Sequence, residues 1–375
     1  MSLIGTNLAL MLGPAVPLPA PPSVMEALES IQVSTNDTGR SGFQITLRVG
    51  RGRTDVIDYG LQLGPLLQPF SRMVLIVSFG GLPEVLMDGV ITNQQLSPGN
   101  EPGTSTLTVT GEDVSVMLDM EERSVEHPAQ PEMVIAAKII ATYTQFGLIP
   151  MVIPPPSLDM PIPTERIPVQ QATDLEYLAE MAERFAYVFY VIPGPAPLTN
   201  TAYWGPPVRA GIPQRALSAN MGSQTNVNNI SFQHDGLSAT HLSGSVYDRR
   251  LDSAVPVQTF ASLRVPLARP SLLAQRRVRR FRGTGLDTMQ AFARAQAETD
   301  KSYDSVVTAS GELDALRYEA ILKPRALVGV RGVGDTYNGF YYVKEVNHSI
   351  AQGSYTQSFT LQREGTGATS PVVVP

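Results

Sequence analysis

The strongest constraint on the fold is the alternation of apolar and polar residues that begins near Ser30. In the stretch "SIQVSTNDTGRSGFQITLRVG", Phe43, Ile45, Leu47 and Val49 point to one side of an extended chain and polar residues point to the other. A period of two is typical of a strand with one buried face. The Asn-Asp-Thr-Gly segment supplies a turn, so the stretch predicts two antiparallel strands.

Further strands are predicted after this pair. The nearly continuous apolar run "RMVLIVSF" begins at Arg72 and predicts a strand that is buried on both faces. The segments "VLMDGVITNQQL" and "STLTVTGED" follow, separated by the turn "SPGNEPG". The 31 prolines and 31 glycines of the chain favour many short strands and turns over long helices. We therefore expect a mainly β fold whose first meander curls into a tube-like barrel.

Three helices are predicted between and after these strands. One begins at Pro131 and ends at Gly147, and another begins at Asp287 and runs to about residue 302. The best marked is "TDLEYLAEMAERFAYVFYV", where Thr173 and Glu176 form a capping box before an aromatic strand. Its expected apolar face consists of Leu175, Leu178, Ala179, Ala182 and Phe185.

Two distant stretches share one pattern. Residues 72–112 and residues 325–364 each contain an arginine-led apolar strand, a glycine-led strand, a turn and a Thr/Leu strand that ends at glutamate. An internal echo of this kind indicates a structural repeat. The sequence therefore predicts two similar barrels separated by a helical insertion.

The predicted domain organisation follows from these elements and from the proline-rich linkers. We expect an extended proline-rich arm at 1–29, a first tube-like barrel at 30–120, an α+β insertion at 121–225, a second barrel at 226–365 with an inserted basic segment and helix at about 250–303, and a flexible tail at 366–375.

The residues offer little chemistry. The chain has no cysteine, a formal net charge of −6 and four histidines. His234, Asp235 and His241 could be a fragment of a metal site, but third and fourth ligands at a suitable spacing are missing. A Ser-His-Asp triad leaves no mark in sequence, since its members meet only in space, and no GxSxG stretch supports one. We expect no catalytic, cofactor or metal site.

One charged feature stands out. "QRRVRRFRG" places five arginines within seven positions: Arg276, Arg277, Arg279, Arg280 and Arg282. On a strand both faces would be basic, which is unlike an ordinary half-buried strand. Three interpretations stay open, namely a contact with an acidic partner or neighbouring subunit, a nucleic-acid contact, and a solvated basic loop.

Several motifs in order resemble one protein family. They are "STLTVTGEDVSVML", the helix ending at "TQFG", "QQATDLEYLAEMAERFAYVFYV" and "GFYYVKEVNHSIAQGSYTQSFTLQREG", the last with one extra residue around Lys344 and Glu345. The chain resembles the baseplate hub proteins of contractile tails: the phage late control protein D group and the N-terminal hub part of the type VI secretion spike protein VgrG. The resemblance covers residues 30–365.

This resemblance implies an architecture and a role. Two similar barrels per chain would form a homotrimeric ring with pseudo-sixfold symmetry, which joins a hexameric tail tube or tube-initiator protein above to a trimeric spike below. The hairpin after Gly339 would close the ring wall, with Tyr342 and His348 at the interface. No needle module follows Gly365, so the spike is expected to be a separate chain.

The remaining implications concern setting and alternatives. The resemblance implies a virion tail or injection-particle baseplate, assembled in the host cytoplasm, with wedge components as further partners, passage of DNA or protein cargo through the lumen, and no membrane insertion. Two alternatives are a tail-associated hydrolase and a tail-tip protein of a non-contractile phage.

Overall fold

The structure is a computed structural model, and it describes residues 2–3, 6–14, 16–50, 64–79, 82–101, 103–156, 160–164, 166–248, 251–269 and 277–369. The fold is mainly β, as predicted. Its strands are β1 (Ser2–Leu3), β2 (Thr6–Gly13), β3 (Leu18–Pro19), β4 (Leu28–Asn36), β5 (Gly42–Val49), β6 (Arg72–Phe79), β7 (Leu82–Ser97), β8 (Ser105–Asp113), β9 (Glu122–Glu126), β10 (Leu148–Val152), β11 (Val169–Thr173), β12 (Val188–Pro193), β13 (Asn200–Gly205), β14 (Gln214–Ser218), β15 (Val227–His234), β16 (Thr240–Asp248), β17 (Ser253–Gln258), β18 (Arg277–Arg280), β19 (Val307–Asp314), β20 (Leu327–Arg331), β21 (Gly339–Ala351) and β22 (Ser354–Arg363).

The described helices are few, and all except one have ten residues or fewer. They are α1 (Pro22–Ala27), α2 (Glu132–Ala141), α3 (Asp174–Glu183), α4 (Thr288–Asp304) and α5 (Ala315–Tyr318), with 3-10 turns at Pro65–Leu67, Val114–Asp119, Thr144–Phe146 and Gly222–Gln224. Among the described residues, no helix is long and apolar enough to cross a membrane.

One large sheet connects both ends of the chain. Its 14 strands follow the order β1-β2-β6-β7-β8-β5-β4-β21-β22-β19-β15, with β3 beside β2 and with β14 and β20 beyond β21. Within the described residues this sheet has free ends and closes into no barrel. The two predicted tube-like β-barrels are therefore not seen as separate closed barrels: the pairing of β4 with β21 joins the two meanders into one large sheet.

The internal repeat is present as a repeated strand order. The first unit consists of β4 to β8 in the spatial order β4-β5-β8-β7-β6, and the second consists of β15 and β19 to β22 in the order β15-β19-β22-β21-β20. In each unit, the strand that comes last in sequence therefore lies between the second and the fourth strands in sequence. The echo between residues 72–112 and 325–364 marks the last three strands of each unit.

Two of the register irregularities coincide in the two units as well, whereas the shift of β6 on β7 after Leu75 has no counterpart between β20 and β21. The register of β4 on β5 shifts between Leu28 and Ser30, and the register of β15 on β19 shifts between Val227 and Asn229. The pairing of β7 with β8 shifts after Ile91, and the pairing of β21 with β22 shifts after Val343. Bulges re-aim all later side chains of a strand, so matching bulges fix a residue-by-residue correspondence between the units.

The insertion between the units is an α+β layer. It contains the sheet β10-β13-β12, the pair β9 and β11, and helices α2 and α3. The capping box of Thr173 and Glu176 is confirmed, and Leu178 is fully buried against β12 and β13. Ala179 is exposed, so that part of the predicted helix face is wrong; Tyr177 and Met181 are buried instead.

A second, smaller insertion interrupts the second unit. Strands β17, β16 and β18 form a sheet in that order, and α4 packs on it through Ala291 and Ala295. The helix starts next to Asp287, as predicted, and the side chain of Asp287 caps it by accepting a hydrogen bond from the backbone N–H of Gln290.

Two predicted boundaries change. Much of the expected arm at 1–29 belongs to the first unit, because β2 pairs along β6 and buries Leu10 and Leu12 in its core. The second unit begins before residue 226, because β14 pairs in parallel with β20. The two additional strands, β2 and β14, lie beside the corresponding strands β6 and β20 of the two units.

Candidate functional site

One face of the large sheet is apolar and the other is polar. On β4, Ile31 and Val33 are each 1% exposed and lie in the core, whereas Gln32 and Ser34 point to the opposite side. The same alternation continues through β5, β8, β21, β22 and β19. Because strand side chains alternate, these six strands together present one polar surface.

This polar face is rich in hydroxyl and amide groups. A depression of about 470 Å³ crosses the junction between the units and is lined by residues of both, among them Gln32, Ser34, Gln44, Asn347, Ser349 and Thr356. Two ion pairs lie near the margin of this face, one between Arg48 and Glu29 and one between Arg40 and Glu112. The depression is also lined by Glu312, which accepts a hydrogen bond from Asn228, and its other lining residues are polar or apolar without a formal charge. A surface with so few charges attracts neither polyanions nor polycations strongly.

The hairpin residues predicted at an interface lie inside the chain. Tyr342 is 0% exposed and His348 is 2% exposed, so neither offers side-chain surface to a partner, and the interface prediction is withdrawn for both. His348 Nδ1 lies 2.9 Å from the hydroxyl of Tyr355. Burial lowers the pKa of His348 to about 3, so the ring is neutral at physiological pH.

The histidine and aspartate candidates are not brought together as a metal site. His241 is buried, and its two ring nitrogens lie 2.9 Å from the carbonyl oxygen of Thr259 and 2.7 Å from the hydroxyl of Tyr303. His234 is exposed at the end of β15. In the described part of the chain no group of three potential ligands could hold a metal ion.

The arginine cluster forms an exposed edge strand. Arg276 lies outside the described residues, whereas Arg277, Arg279 and Arg280 belong to β18 and are exposed, as is Arg282. β18 pairs in parallel with β16 on one side. No carboxylate within the described chain forms an ion pair with these four arginines, so all four guanidinium groups remain available for an external anion.

The junction between the units is built around a buried arginine. Arg325 donates hydrogen bonds to the carbonyl oxygen of Asn36 at the end of β4 and to that of Val191 in β12, and it stacks over Tyr190 at 4.0 Å. One side chain therefore ties both units to the insertion. The sequence marked Arg325 only as the start of a strand, because neither its burial nor its distant partners have a local signal.

A carboxylate lies next to this arginine. Asp37 follows β4, is 3% exposed and donates its backbone N–H to the carbonyl oxygen of Lys344. Burial raises the pKa of Asp37 from 3.8 to about 6, and the positive charges of Lys344 and Arg325 oppose that rise. The junction therefore contains a carboxyl group whose pKa lies near 6.

Comparison with known structures identifies the fold. A tail protein from Neisseria meningitidis is similar with a TM-score of 0.65 and 13% identity, over 96% of this chain and 97% of that one. A 43 kDa prophage tail protein from Shewanella oneidensis gives a TM-score of 0.63 and 13% identity, over 96% and 98%. The chain has the fold of phage tail proteins.

The same fold occurs in secretion machinery. A type VI secretion system component from E. coli is similar with a TM-score of 0.56 and 10% identity, over 93% of this chain and 77% of that one. No protein-family model and no curated protein matches the sequence. Architecture is therefore retained across these proteins where sequence is not.

Proposed function

We propose that this protein is the central hub of a phage tail or phage-derived injection-system baseplate, where it joins a hexameric tail tube to a separate trimeric spike. The observation that carries the proposal is the duplicated five-stranded unit within one open sheet. Three chains would supply six similar units, so a threefold spike and a sixfold tube could meet at one ring without a mismatch of symmetry.

The two faces of the sheet suit such a ring. The apolar face is covered within each unit by its own core. The polar face of Gln32, Gln44, Asn347 and Thr356 would line the central passage. A lining of low net charge would let DNA or protein cargo pass without being held, since neither sign of charge is attracted.

Mass measurement and imaging test this proposal. Three 40.5 kDa chains should give a particle of about 120 kDa by native mass spectrometry and a threefold ring with a central hole by electron microscopy. The chain should also appear at the tube–spike junction when tail particles are imaged with an antibody or tag on it. Particles that contain only isolated copies of the chain, away from that junction, would contradict the proposal.

A further inference from the structure

The strand β21 has two successive neighbours on one of its sides. Residues 339–342 pair with β20, and residues 345–351 pair with β4 of the first unit. The second of these contacts joins the two units within the chain. It also buries the core-facing residues Val33 and Val346 to 1% and 0% exposure.

The matching strand of the first unit lacks its second neighbour. β7 pairs with β6 up to Val90, but no described strand pairs with that side of residues 93–97, whose only strand partner among the described residues is β8. β15, the counterpart of β4, is likewise the last strand of the sheet and pairs only with β19. The chain thus carries two free edges whose counterparts pair with each other in the same molecule.

We propose that β15 of one copy pairs antiparallel with the second half of β7 of the next copy, and so repeats the contact between β4 and β21; this rests on the proposed hub function. The matching bulges fix the register. Transferring the pairs Thr35–Val346, Ser34–Asn347, Val33–His348 and Gln32–Ser349 to the other unit gives His234–Gln94, Gln233–Gln95, Phe232–Leu96 and Ser231–Ser97.

The side chains suit this register. Leu96 and Phe232 are only partly buried and already pack at the margins of the two cores, so their pairing would seal both. Gln95, Gln233 and Ser97 lie on the opposite side and would continue the polar lining. In this register the core-facing residues of both strands lie on one side and the polar residues on the other. A shift by one residue would bring core-facing residues of one strand opposite polar residues of the other.

The exposed aromatic residue Phe70 also suits this contact. Phe70 and Arg325 occupy corresponding positions, with φ values of 67° and 64°, and each donates its backbone N–H to the residue before the bulge, Ile91 or Val343. Arg325 reaches over the end of β4. Phe70 is 59% exposed, and in the proposed contact it would cover the end of the neighbour's β15.

Two of the usual protections of a free strand edge are missing from both strands. Soluble proteins guard free strand edges with lysine, proline or a covering loop. The segments "NQQLS" in β7 and "VNNISFQH" in β15 contain neither lysine nor proline. Because the two edges differ, the contact is head-to-tail, and repetition closes a ring when the rotation allows it.

Disulfide trapping tests the register, since the chain has no cysteine of its own. Opposed residues in antiparallel strands lie about 4.5–5.5 Å apart between Cα atoms, within the range of a disulfide. The double variant Gln95→Cys/Gln233→Cys should give covalently linked trimers on non-reducing gels after mild oxidation. The control Gln95→Cys/His234→Cys places the two thiols on opposite faces and should not link.

The outcomes separate this proposal from the proposed function. Linking of the matched pair, together with linked dimers when the two single variants are mixed, supports the edge contact. A trimer that forms but links neither through Gln95/Gln233 nor through Ser97→Cys/Ser231→Cys overturns the edge contact and leaves the hub function standing. A chain that stays monomeric in assembled particles overturns both.

Discussion

The buried carboxylate of Asp37 makes stability depend on pH in an unusual direction. Its pKa of about 6 in the folded chain lies above the ordinary value of 3.8 because burial disfavours the charged form. The folded state therefore binds this proton more tightly than the unfolded state. The resulting contribution to stability is fully present below pH 3.8 and is lost as pH rises through 6.

The size of the effect follows from the shift. About two pKa units correspond to about 3 kcal/mol, because one unit is worth about 1.4 kcal/mol. Asp37→Asn keeps the shape of the side chain and removes the charge. We expect the variant to be more stable than the parent by up to about 3 kcal/mol at pH 7.5, by about half of that at pH 5, and by almost nothing below pH 4.

Urea unfolding of both proteins across this range measures the difference directly, provided that the chain concentration is held constant so that assembly contributes equally. The control is Asp335→Asn, since that carboxylate is 74% exposed and, among the described residues, takes part only in an exposed ion pair with Arg269. The reasoning fails if Asp37→Asn is less stable than the parent at pH 7.5, or if the difference does not change with pH.

Three further predictions concern packing and assembly. Leu178→Asp should cost several kcal/mol by burying a charge, whereas Ala179→Asp, on the exposed side of the same helix, should cost little; thermal unfolding distinguishes them. Phe70→Asp should leave the monomer folded by circular dichroism but reduce trimer mass, and Phe260→Asp, at 67% exposure, should not. Reversing the three arginines of β18 to glutamate should leave the fold intact and weaken docking in the baseplate, measured by co-sedimentation with tail particles; unchanged docking would favour the solvated-loop interpretation.

The local sequence pattern was sufficient to predict those features that residues adjacent in sequence determine. The alternation in β4 and β5 gave their faces, and the capping box of Thr173 gave the start of α3 to the residue. Local pattern failed for the closing of the sheet, because the pairing of β4 with β21 joins residues about 300 positions apart. A barrel and an open sheet with two free edges are indistinguishable at the level of a single strand.

His348 shows how one extra residue changes the outcome. An unbroken alternation that starts from the buried Tyr341 and Val343 would place it on the polar side. The bulge between Val343 and Glu345 shifts the phase by one residue, so that Val346, His348 and Ile350 share the core side. The extra residue around Lys344, relative to the family pattern, coincides with this bulge. Which side chains it turns toward the core can be read only from the strand pairing, not from the sequence.

In the proposed ring, the two insertions decide where sixfold symmetry gives way to threefold symmetry. The strands of the two units correspond, so a ring built from them offers six similar positions to a tube. The layer of α2 and α3 follows only the first unit, and the β16–β18 sheet with α4 lies only inside the second. Any partner that binds an insertion, including one drawn to the arginines of β18, therefore meets three sites and not six, as a trimeric spike requires.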